Sequence, residues 1–81
     1  MSAGRPPEFG DAEGTWPTYR VRLEAYFEAH NIVDETNKRA LLISALTGSA
    51  VGVVQGRCHQ KKVNKLSYDE VVGYLEGHYT P

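Results

Sequence analysis

The sequence predicts an all-α fold, a compact bundle of four to five short helices. Three observations predict it. Trp16, Tyr19, Leu23, Tyr26, Phe27 and His30 recur at steps of three and four, which places them on one helical face. Residues 35–46, ETNKRALLISAL, are apolar over a wide arc. Ser67-Tyr68-Asp69-Glu70 is a capping box, and Val71, Val72, Leu75 and Tyr79 follow it at helical spacing. No segment alternates with the period of two that a strand requires.

The chain has 81 residues, enough for one domain. Its hydrophobic fraction of 41% and charged fraction of 23% are those of an ordinary globular domain. So small a domain has a thin stability margin, so it is expected to work within a longer protein or an assembly. The formal charge of -1 argues against a dedicated nucleic-acid binder. Cys58 is the only cysteine, which excludes an intrachain disulfide and fits a reducing compartment. No apolar run reaches membrane-spanning length, and the N-terminus lacks the apolar core of a signal peptide. A cytoplasmic protein without a membrane partner is expected.

Residues 1–14 hold Gly4, Gly10, Gly14, Pro6 and Pro7, and are expected to form an extended or flexible arm. Phe9 is the arm's one large apolar side chain. It either docks onto the helical body or is a stray aromatic. Residues 15–81 form the helical domain. Thr15 is the expected N-cap of the first helix, and Pro17 falls in the first turn, where a missing N–H costs nothing. That helix should stop near His30, with Asn31 in the left-handed position after it. Its aromatic stripe makes it the expected centre of packing.

Asp34 is the expected cap of the second helix, read as the buried one and ended by Gly48. Ser49 should cap a third helix over residues 50–58, with Ala50, Val53, Val54 and Cys58 on its inner face. Gly48, Gly52 and Gly56 lie one turn apart and hint at a tight helix contact. The segment from His59 to Lys65 is polar and reads as a loop. The fourth helix should run from the capping box to about His78.

A search for chemistry finds no constellation. Cys58 and His59 are adjacent and diverge on a helix, and no C-x-x-C or H-x-x-x-H spacing exists, so no metal or other cofactor is expected. Cys58 with His30 or His78 is the one conceivable nucleophile pair, and a Cys packed as a small apolar residue is the simpler reading. Leu46-Thr47-Gly48-Ser49 lacks the aspartate that an aspartic protease carries before Thr-Gly. Glu24 and Glu28 sit one turn apart on the polar side of the first helix, as a solvated edge would. No glycine-rich phosphate loop is present. Arg57, Lys61, Lys62 and Lys65 could touch phosphate electrostatically, but no aromatic residues interleave them, and a solvated loop is the simpler reading. No enzymatic activity is expected.

Taken together, the landmarks resemble a known family. Phe9-Gly10, Trp16, Tyr19-Arg20 and Arg22-Leu23-Glu24-Ala25-Tyr26-Phe27-Glu28-Ala29-His30-Asn31-Ile32 resemble the start of the Gag capsid domain of gypsy-class LTR retrotransposons. A second block is Lys38-Arg39-Ala40-Leu41-Leu42-Ile43-Ser44-Ala45-Leu46-Thr47-Gly48-Ser49-Ala50. A third is Leu66-Ser67-Tyr68-Asp69-Glu70-Val71 with Leu75, His78-Tyr79 and Pro81. Residues 51–65 depart from the family's pattern, lacking its aromatic or Leu-rich third helix and its proline-containing loop.

The resemblance implies a capsid N-lobe that self-associates into a particle shell. Its partners would be further copies of itself and a C-terminal capsid lobe beyond Pro81. RNA contact would be weak or would run through other regions, and the location would be cytoplasmic or within virus-like particles. Host-captured relatives of the family imply a second role, a peptide- or protein-binding module. For that role the candidate groove between helices lies near Phe9, Trp16 and Tyr19.

Overall fold

The computed structural model describes residues 6–10, 15–58 and 61–80. Four α-helices follow in order: α1 (Trp16–Ala29), α2 (Glu35–Ala45), α3 (Gly48–Arg57) and α4 (Tyr68–Tyr79), with one 3-10 turn, Val63–Lys65, before α4. Among the described residues the only extended pairing is a parallel bridge between Phe9 and Leu46.

Local signals set the helix ends. Thr15 caps α1, and Pro17 lies in its first turn. Asn31 has φ 55°. Its N–H donates to the carbonyl of Glu28, and that of Ile32 to the carbonyl of Phe27, at 3.3 and 2.8 Å. This is the Schellman pattern, in which two otherwise unpaired helix carbonyls gain donors. Ile32 also packs against the core, as the residue after such a stop often does. The Asp34 carboxylate accepts from the N–H groups of Thr36 and Asn37 at 2.7 and 3.1 Å. In the capping box of α4, Glu70 N donates to Ser67 Oγ, and Ser67 N donates to Glu70 Oε1.

Two expected boundaries move. Gly48 does not end α2; it is the first residue of α3. The chain breaks at Leu46, whose backbone turns extended, and Thr47 rather than Ser49 caps α3. Leu46 leaves the helix as the partner of Phe9, which no local propensity encodes. The Thr47 side chain then accepts from Ala50 N at 3.3 Å.

Packing also differs from expectation. α4 packs against α1, α2 and α3 and buries Tyr68, Val71, Val72 and Leu75. It is the hub, whereas α1 supplies Trp16, Tyr19, Leu23 and Phe27 to it. α2 buries only Leu42 and Ala45 and leaves Ala40 exposed, so it is a surface helix and not the central one. His30, read onto the apolar face of α1, is exposed and stacks on Tyr26 at 4.3 Å between ring centroids. Cys58 is half-buried at the C-terminal end of α3 rather than sealed in the core. A Cβ added at Gly48, Gly52 or Gly56 would meet nothing, so no tight contact uses the glycine stripe within this domain.

Candidate functional site: the docked arm and a lysine-rimmed cleft

Phe9 docks, and it docks deeply. It is 1% exposed. Phe9 N donates to Ala45 O at 3.0 Å, and Thr47 N donates to Phe9 O at 2.9 Å, which clips the arm to the α2–α3 junction. Its ring meets those of Trp16, Tyr19 and Tyr79 at 5.4, 5.0 and 4.8 Å. Edge-on and tilted geometries of this kind favour aromatic pairs beyond simple burial. Gly10 is required here, because a Cβ at that position would collide with the Thr47 side chain.

The candidate groove of Phe9, Trp16 and Tyr19 therefore needs a correction. All three side chains belong to the core, and Phe9 itself fills the space between helices that a partner was expected to enter. Trp16 Nε1 and the Tyr19 hydroxyl are buried without a hydrogen-bond partner among the described residues. Burial also drives the Tyr19 phenol pKa well above its ordinary value, with the neighbouring Tyr68 adding to the shift. Sequence spacing marked these residues as apolar and convergent, which is true of a core and of a groove alike. Residues 1–5 and 11–14 of the expected arm, His59 and Pro81 lie outside the described residues.

The basic residues do not form one patch. Lys61 and Lys62 rim an open cleft of about 520 Å³ whose apolar floor is Ile43, Val51, Cys58 and Val63. Lys61 and Lys65 border a second, smaller cleft that also contains Glu35 and Glu70. Lys61 is paired with Glu70 at 3.3 Å. Arg57, exposed in the last turn of α3, borders neither of these clefts; a Cβ added at Gly77 of α4 would meet its Nη1 at 3.7 Å. Intervening carboxylates dilute the positive field that phosphate contact needs.

The lysine-rimmed cleft escaped sequence reading. Its floor draws single residues from α2, α3, the end of α3 and the 3-10 turn, so no periodic pattern exposes it. The signal that existed was the run of Lys61-Lys62 beside an isolated Val63.

On the opposite side of α2 from its C-terminal end, the α1–α2 connection raises Val33, 82% exposed, between Ile32 and the acidic pair Asp34-Glu35. Among the described residues, Val21 on α1, at 69%, is the other large apolar residue left in solvent. No group of three or more His, Cys, Asp or Glu side chains converges as a metal site among the described residues. No helix among them is long and apolar enough to cross a membrane.

Comparison with known proteins adds no relative: no family model, curated protein or solved structure matches the chain.

Proposed function

We propose that the chain is a self-associating structural domain, the capsid N-lobe of a retrotransposon-type Gag protein. One observation carries this reading. The three sequence blocks that resemble the Gag family coincide with α1, with α2 and the turn into α3, and with α4, and their apolar members Trp16, Tyr19, Leu23, Phe27, Leu42, Ala50, Leu66, Tyr68, Val71 and Leu75 share one core. The role is structural rather than catalytic. Weak contacts between lobes, repeated by symmetry, build a shell stronger than any single contact. The partners are further copies and a C-terminal capsid lobe, and the location is the cytoplasm or a virus-like particle.

The test is assembly. Expressed with the sequence that natively flanks it, the chain should form particles visible by electron microscopy and a mass by light scattering that grows with concentration. A species that stays monomeric at high concentration would overturn the reading.

A second reading, the peptide-binding module of a captured Gag gene, is favoured by the open cleft beside α3. Its partner would enter there and not at Phe9, which is already enclosed. Saturable peptide binding by a chain that never self-associates would select it.

A further inference from the structure

The geometry points to a specific contact between copies: Val33 of one copy seats in the cleft floored by Ile43, Val51, Cys58 and Val63 of the next, and its acidic neighbours meet Lys62. This inference rests on the self-association reading and names the contact behind it.

Both halves of the contact lie on one chain. The cleft has an apolar floor, a lysine rim and no acidic residue among those that line it. Lys62 has no ion pair among the described residues, unlike Lys61, which is held by Glu70. The knob is the converse. Val33 stands 82% exposed, and Glu24, Glu28 and a single cation, Lys38, share its surface hollow, with the Lys38 ammonium lying over the Phe27 and Tyr68 rings. Asp34 and Glu35 follow it directly in the sequence, and Glu35 makes no ion pair among the described residues. An apolar knob with more carboxylates than cations beside it (Glu24, Glu28, Asp34 and Glu35 against Lys38) fits an apolar floor whose rim carries the unpaired Lys62. Complementary charge of this kind orients the encounter, and burial of the knob holds it.

The contact cannot form within one copy. Val33 precedes the first residue of α2, while Ile43 lies in its third turn, about 12 Å of helix further on. It therefore joins unlike patches, with each copy giving its knob to one neighbour and its cleft to the other. Such a heterologous contact closes into a ring or propagates as a filament, which is the form a shell lattice needs.

Cys58 on the cleft floor provides the test. V33C places a second thiol on the knob, and at 82% exposure that site tolerates the change without unfolding. The full 81-residue chain is incubated with oxidised glutathione, and disulfides are mapped by mass spectrometry. V21C, on the other exposed valine, is the collision control, and V33C with C58S is the pairing control. A docked pair raises the local thiol concentration, so V33C should link to Cys58 of another copy at least roughly tenfold faster than V21C does. K62E should slow that link, and E35K combined with K62E should restore it.

Light scattering on the unmodified chain separates the two claims. A mass that rises with concentration while V33C links no faster than V21C overturns this contact, leaves assembly standing and frees the cleft for a foreign peptide. A mass that never rises, in this chain or in the chain expressed with its native flanking sequence, together with no preferred link, overturns both.

Discussion

Phe9 meets Trp16 edge-on, with 5.4 Å between ring centroids and 74° between ring planes, and so joins the N-terminal arm to the first turn of α1. Phe9 is part of the core, not an appendage to it. Phe9→Ala should therefore cost about 3–5 kcal/mol, the range for emptying a buried aromatic site. That is a large share of the stability of a domain this size. Thermal denaturation followed by circular dichroism should show a fall in Tm, and Trp16 fluorescence should shift to the red in the folded variant. A variant that melts with the parent would mean that Phe9 is dispensable.

Glycine substitutions should divide by position. Gly10→Ala forces a Cβ into Thr47 and should loosen the clip between arm and α2–α3 junction, lowering stability. Gly52→Ala lies in a helix interior with open space around the new methyl, and should raise stability by about 0.5–1 kcal/mol. Urea denaturation of the two variants should give opposite shifts in midpoint.

Ser67→Ala removes the N-cap of α4 and should cost about 1 kcal/mol. The effect should reach the whole domain, because α4 touches every other helix.

The same cap predicts a pH dependence. The Glu70 carboxyl is held below its ordinary value of 4.5, first by the hydrogen bond from Ser67 N and then by Lys61. A carboxylate with a lowered folded pKa contributes stability above its unfolded pKa, and that contribution disappears as pH falls through the folded value. Stability should decline on acidification from about pH 5. Glu70→Gln should flatten this slope in denaturation midpoints taken from neutral to acid pH. An unchanged slope would assign the acid sensitivity elsewhere.

Tyr68 carries a buried hydroxyl with no hydrogen-bond partner among the described residues. Burial, with Glu24 adding to it, pushes the phenol up to about 12 from its ordinary value of 10.0. The folded state thus favours the protonated phenol, and this contribution is full below pH 10.0 and lost as pH rises toward about 12. Tyr68→Phe keeps the ring against Phe27, at 5.8 Å, and deletes the unpaired oxygen. It should be neutral or stabilising by up to about 1 kcal/mol at pH 7 and should ease the alkaline decline. Tyrosinate absorbance measured during alkaline titration would follow both.

Much of the fold was legible because its signals are local. Thr15, Asp34 and the Ser67–Glu70 box each act on residues two or three positions away, and the Asn31 stop is equally short-range. What escaped was long-range. The break at Leu46 depends on Phe9, far off in sequence, and so does the shift of the α3 cap from Ser49 to Thr47. The rank of the helices was misjudged for a related reason. The apolar arc of α2 looked central, yet a small domain cannot cover every apolar residue it owns, and α2 kept the outside place. The aromatic groove was misread because chemistry alone does not say whether convergent rings enclose a guest or one another. The cleft beside α3 is assembled from three separated segments and had no pattern to betray it.

The hub position of α4 has a consequence for synthesis. The last helix to leave the ribosome is the one on which the other three converge. While only α1 to α3 have emerged, Leu23, Leu42 and Val54 lack the α4 surface with which they share one core in the folded domain. The core can close as a unit only once Tyr79, the last residue of α4, has cleared the exit tunnel.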